Sequence, residues 1–243
     1  MSLAKAIRTG DLAELPSRRD EDWRWSDLRG LLRVLPPASR EWRQALAPGP
    51  FDALADRAEV IVNGRGTMDL HIPAGASTTI ALRFASREAG RHAAGGRIRI
   101  GEGARVVLLE SYEGDTCAYV SEIDLEFQLA NGAALERIVL ADDSADAVSV
   151  SIADVRLSPH ATFAQTVLTS GARRQRLETR IAHPGGGAEA RLDGVYLLGG
   201  QRHGDITTVV AHEGMDGATD QLAKGVVRDQ ARAVFQGRIV VAR

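Results

Sequence analysis

The chain has 243 residues, a formal net charge of −2 and a sequence pI near 6.3. That balance argues against non-specific nucleic-acid binding. Hydrophobic residues make up 44% and aromatics only 5%, so the core is expected to be packed mostly by Val, Ile, Leu and Ala.

The opening MSLAKAIRTGDLAEL carries acids and no apolar run, unlike a secretory signal. No stretch approaches the ~18 apolar residues of a spanning helix. These features predict a soluble, cytoplasmic protein with no membrane partner. Residues 1–57 read as an N-terminal helical region. Ser17 with Asp20 and Glu21 resembles a capping box, and Trp25, Leu28, Leu31 and Leu32 follow at helical spacing. Pro36-Pro37 would stop this helix. A second, weak helix is expected over Ser39 to Leu46.

Residues 58–243 read as a β core. AEVIVNGRG opens it as a strand and turn. Alternation with period two follows, as in Ile123, Leu125, Phe127 and Leu129, or Val148, Val150 and Ile152. Segment 86–96 reads as an exposed loop. SYEGDT reads as another, and it precedes Cys117. That is the sole cysteine, so an internal disulfide and a cysteine-rich metal site within the chain are excluded. Glu113 and Asp115 would raise its thiol pKa, giving a structural thiol rather than a nucleophile. ADDSADA, with Asp142 and Asp143, reads as a solvated turn. The basic run 171–178 reads as a solvated face or partner contact.

A repeat organises this region. DLHIPAGAST, IRIGEGARV, EFQLANGAAL, DVRLSPHATF and TRIAHPGGGAEA share a strand, a tight turn and a marker alanine. The markers Ala76, Ala104, Ala133, Ala161 and Ala188 lie 28, 29, 28 and 27 residues apart, and a looser copy puts Ala218 30 residues further on. Propeller blades are longer, and the leucine-rich signature is absent. The best fit is a mainly β fold, a parallel, right-handed β-helix of about 28-residue coils. An antiparallel sandwich has no reason to keep so regular an interval. The Gly-Ala corners join strands and lack a P-loop pattern, so they read as architecture.

His71, His160 and His183 sit in or beside the repeated turn, as polar corner residues facing solvent. His203, Asp205, His212 and Glu213 form a denser polar group. His203, His212 and Glu213 are the candidate metal ligands, although their spacing matches no helical zinc motif. A β-helix enzyme acting on polysaccharide, a lyase or hydrolase, is the alternative function. Against it stand scattered acids and bases and few aromatics for sugar stacking.

Two segments resemble a known family. LPSRRDEDWRWSDLRGLL resembles the opening of SufD-type iron–sulfur assembly proteins. YLLGGQRHGDITTVVAHEGMDGATDQLAKGVVRDQARAVFQGRIVVAR resembles the SufB/SufD core, with His212, Gln221, Lys224, Gly225 and the strand Phe235 to Ile239 at matching positions. The resemblance implies a parallel β-helix and a non-catalytic scaffold subunit. It implies SufB-like and SufC-like partners, the latter a separate ATPase. It also implies no cofactor bound directly, with an iron–sulfur cluster held transiently by the complex. Members continue into further coils and a C-terminal helical region, whereas this sequence stops at Arg243. The core is therefore expected to be truncated, with its last coil uncapped. Unpaired edges favour pairing, so a partner interface or homodimer is expected at Phe235, Arg238, Ile239 and Val241.

Overall fold

The structure is a computed structural model that describes residues 2–115 and 117–242. Arg243, where the sequence reading places the end of the last coil, lies outside them. Among the described residues, fourteen strands run in two parallel sheets. The first sheet orders β1 (Arg57–Val62), β3 (Ser77–Ser86), β5 (Arg105–Gly114), β7 (Ala134–Asp142), β9 (Thr162–Thr169), β11 (Glu189–Leu198) and β13 (Ala218–Val227). The second orders β2 (Thr67–Ile72), β4 (Gly90–Ile100), β6 (Tyr119–Leu129), β8 (Val148–Leu157), β10 (Arg174–His183), β12 (His203–His212) and β14 (Arg232–Val241). Each coil gives one strand to each sheet. The predicted parallel solenoid is the observed fold.

Register explains the period. Ser77 pairs with Arg105, Arg105 with Ala134, Ala134 with Thr162, and Thr162 with Glu189. These partners sit one residue after the marker alanines, so Ala76, Ala104, Ala133, Ala161 and Ala188 stack in one column. The last four are fully buried. The residue before each marker is left-handed: Gly75, Gly103, Gly132, His160 and Gly187 have φ of 68, 64, 63, 58 and 74°. Glycine takes that conformation without a Cβ penalty, and His is among the few other residues that visit it. The sixth copy is offset by one. Glu189 pairs with Ala218, so Gly217, not Ala218, continues the column. A Cβ at Gly217 would lie 2.1 Å from the His183 ring.

Paired residues in parallel ladders share a face. Inward columns such as Ile98, Phe127, Val155, Ile181 and Val210 therefore form one continuous core between the sheets. Segment 86–96 is not a loop: from Gly90 onward it is β4. SYEGDT is mostly strand as well, since β5 runs to Gly114, with Ser111 and Tyr112 buried; Thr116 lies outside the described residues.

The N-terminal region differs from its prediction. Its helix is α1, Leu3–Thr9, capped by Ser2 and closed by left-handed Gly10. The stretch from Ser17 to Leu32 holds only a short 3-10 turn, Glu21–Trp23, and Ser39 to Leu46 forms no helix. The capping-box residues build a turn instead: Asp20 accepts from the Ser17 amide at 2.7 Å and the Ser17 hydroxyl at 3.1 Å. The apolar spacing serves docking. Leu3, Ala6, Leu15, Trp23 and Leu28 pack on Val120, Val148 and Val150, which project from the outer face of the second sheet.

Candidate functional site in the distal coils

The N-terminal segment is fastened to β10 and β12 by a buried charged cluster. Arg176, 1% exposed, donates to Glu178 and to Asp205, both at 2.9 Å. Its guanidinium lies 4.4 Å over the Trp23 ring, a desolvated cation–π contact worth about 2 kcal/mol. The Ser26 hydroxyl donates to the same Asp205 oxygen. The His203 ring approaches the Trp25 carbonyl through Nε2 at 3.1 Å. Burial pushes Glu178 up, but Arg176 and Arg180 outweigh it and hold its carboxyl below the usual range. Burial and the Arg174 charge push His203 down. The basic run 171–178 is thus no solvated face at Arg176. Its side chain is among the most buried in the molecule.

The proposed metal ligands do not converge. His203 opens β12 and His212 closes it, so about nine residues at ~3.3 Å, roughly 30 Å, separate them. Glu213 is exposed beyond His212. His212 instead pairs in register with His183, and their rings stack at 4.6 Å. His183 is fully buried, not solvent-facing as the corner reading has it; His71 and His160 are exposed. The His183 Nδ1 accepts from the Gly185 amide at 3.2 Å, and the Thr219 hydroxyl lies 3.0 Å from His212 Nε2. Burial, with His212 beside it, pushes His183 down.

Asp143 corrects the solvated-turn reading. It is buried, accepting from Tyr119 at 2.7 Å and from Gln175 at 2.7 Å. Cys117 packs against Tyr119, Ala147 and Ala172. Burial raises its thiol, reinforced by Asp115 and Glu88 rather than Glu113.

Inside the solenoid a second polar cluster appears, which the sequence reading missed. Arg137 grips Glu110 through Nε at 2.8 Å and Nη2 at 2.7 Å, and donates to Gln165 at 2.6 Å. Gln165 donates to Thr179 at 3.0 Å, and Tyr112 donates to Glu110. The signal was present: Arg137 interrupts Leu135, Val139 and Ala141 on the inward positions of β7.

The predicted interface residues divide. Phe235, Ile239 and Val241 pair with Ile206, Val210 and His212, so they continue inward columns. They are 47%, 58% and 68% exposed because β13 and β14 are the outermost strands of the two sheets. Arg238 faces the other way and donates to Asp22 of the N-terminal segment at 3.3 Å. Tyr196 crosses between the sheets, donating to the Val234 carbonyl and accepting from the Ile206 amide at 3.0 Å. Gly225 lies under its ring, and Gln221 accepts from Thr208 at 3.1 Å.

A protein-family model described as SUF system FeS cluster assembly, SufBD core domain, matches residues 84–243. The chain belongs to the SufBD core family. That assignment supports a role in iron–sulfur cluster assembly and does not favour the carbohydrate-enzyme alternative. The match begins within β3 and covers the distal coils, while the N-terminal segment lies outside it. Comparison with curated proteins and with solved structures returned no match. Among the described residues, no helix is long and apolar enough to cross a membrane.

Proposed function

We propose that the chain is a SufD-type, non-catalytic scaffold subunit that pairs with a SufB-like subunit and works beside a separate SufC-like ATPase in the cytoplasm. The iron–sulfur cluster is the cargo of the complex, held transiently. The observation that carries this reading is the distal coil. Phe235, Ile239 and Val241 stand on core columns yet face outward along the axis, beside Val227 of β13, which pairs with the buried Leu198 and is also exposed. An apolar end flanked by two strand edges accepts further strands in parallel register.

Co-expression with SufB-like and SufC-like chains, using the longest form of this protein, tests the reading. Both partners should co-purify, and Ile239→Asp should abolish capture of the SufB-like chain while leaving the fold intact by circular dichroism. Capture of neither partner by the unmutated protein defeats the assignment. Alone, the 243-residue chain is expected to dimerise through β14. A strict monomer by light scattering at high concentration counts against that homodimer.

A further inference from the structure

Several arginines of the solenoid are matched to a carboxylate. Arg83, Arg97, Arg99, Arg137, Arg176 and Arg180 all make ion pairs. One concavity gathers arginines of another kind. In the N-terminal segment, Arg18, Arg19, Arg29 and Arg33 line a cleft of about 580 Å³ with Ser17 and Asp27. Arg18, Arg19 and Arg33 have no ion-pair partner among the described residues.

The cleft is held in shape by its backbone. The Ser17–Asp20 turn fixes the base from which Arg18 and Arg19 project, and the Arg19 amide donates to the Ser17 hydroxyl at 3.2 Å. The amides of Leu28 and Arg29 both donate to the Pro16 carbonyl, at 3.1 and 3.0 Å, which joins the two walls. The Arg29 guanidinium is anchored on the carbonyls of Leu15, at 3.1 Å, and Ala13. Asp27, the one acid in the lining, accepts from the Gly30 amide at 2.9 Å. Asp20 adjoins Arg29, and its carboxylate is spent on the Ser17 turn.

We propose that this cleft binds a phosphate-class anion. Guanidinium forks present paired N–H donors that match phosphate oxygens. The volume suits a small ligand. The lining has no aromatic or aliphatic wall, so it reads the charged oxygens and not a ring attached to them. Inorganic polyphosphate and a nucleotide's phosphate tail share that chemistry. The inference does not depend on the scaffold reading.

Calorimetric titration of the full chain with inorganic tripolyphosphate at low salt tests it. Saturable one-site binding is expected. Arg18→Gln with Arg19→Gln, both exposed, should weaken it at least tenfold without changing the melting temperature. Arg105→Gln, an exposed change far away on β5, should leave it unchanged. ATP in place of tripolyphosphate should bind within about threefold. A much tighter ATP isotherm would assign the nucleotide as the source, and a much weaker one the inorganic anion. Bound tripolyphosphate should also slow trypsin cleavage after Arg18 and Arg19 relative to the rest of the chain. No saturable binding overturns the proposal. So does an equal loss in the Arg105 variant, or binding of a hexaglutamate peptide where tripolyphosphate fails.

Discussion

Arg137 and Arg176 are two buried arginines in opposite situations. Arg137 lies inside the solenoid, gripped by Glu110 on the preceding coil and touching Gln165 on the next. Arg176 lies on the outside of the same solenoid and is buried only because Trp23 and Ser26 cover it and its partner Asp205. The first is enclosed by strands whose stacking repeats rung after rung. The second is enclosed by a segment with one short helix and irregular turns. Burial by the repeat is thus part of global folding. Burial by the strap depends on a local docking equilibrium, and such segments open at lower free energy than the core.

The largest expected effects separate the two. Arg137→Ala leaves Glu110 in the core without its cationic partner, held by Tyr112 alone, and should cost about 3–5 kcal/mol of global stability. Urea denaturation followed by circular dichroism would measure it. Arg176→Ala strips the same kind of pairing from Asp205, but the strap can lift and let water reach it. Its signature should be faster trypsin cleavage in residues 18–33, with a smaller shift of the global midpoint. Equal midpoint shifts and unchanged cleavage would erase the distinction between the regions.

The sequence made these regions unequally legible. Alternation and the interval between marker alanines report the coils because each rung must repeat the same inward face and the same left-handed corner. The interior pair was readable on the same rule, since Arg137 and Glu110 stand at positions where alternation calls for an apolar side chain. The strap carries no such constraint. Leu28, Leu31 and Leu32 have helical spacing, yet Leu28 is used to plug Val120 and Val148, and tertiary packing overrode the local pattern. His203 and His212 are close in sequence, but a strand carries them apart. His183 and His212 meet because 29 residues is one coil here. Sequence proximity misled where register would have paired them.

The seam between the regions offers a pH test of intermediate size. Glu122 of β6 is 5% exposed, and the groove it lines is bordered by Ser2 and Ala4 at the start of α1. Burial, and then its hydrogen bond with Asp124, raises its carboxyl to about 9. A raised acid holds its proton in the folded state. Its contribution is present below the ordinary value near 4.5 and is lost as pH rises through about 9. Glu122→Gln keeps the shape and a donor toward Asp124 but cannot ionise. It should match the wild type near pH 4.5 and exceed it increasingly as pH rises toward 8, by at most about 1.4 kcal/mol for each pH unit. His92 works in the opposite sense: burial lowers it to about 4, so its contribution is lost as pH falls from about 6.5 to that value. It is common to both proteins and cancels in the difference. A variant less stable than wild type at pH 8 would mean that Glu122 is ionised in the fold.

The smallest effect tests the corner rule itself. Gly132 and Gly187 occupy equivalent left-handed positions, but their surroundings differ. A Cβ on Gly132 meets nothing within 4 Å, whereas one on Gly187 would lie 2.6 Å from the His160 imidazole. Gly132→Ala therefore exposes only the conformational cost, about 1 kcal/mol. Gly187→Ala carries that cost plus displacement of the His160 ring. If stacked corners are equivalent apart from that ring, Gly187→Ala measured in a His160→Gly background should fall to the Gly132→Ala value. Thermal melts of the double-mutant cycle would show it. A residual excess at Gly187 would mean that the triple-glycine turn 185–187 answers to the His183 corner beneath the next coil. The amide of Gly185 already donates to His183, so the irregular sixth repeat, with Gly217 set against the same ring, would then begin one coil earlier than the marker alanines indicate.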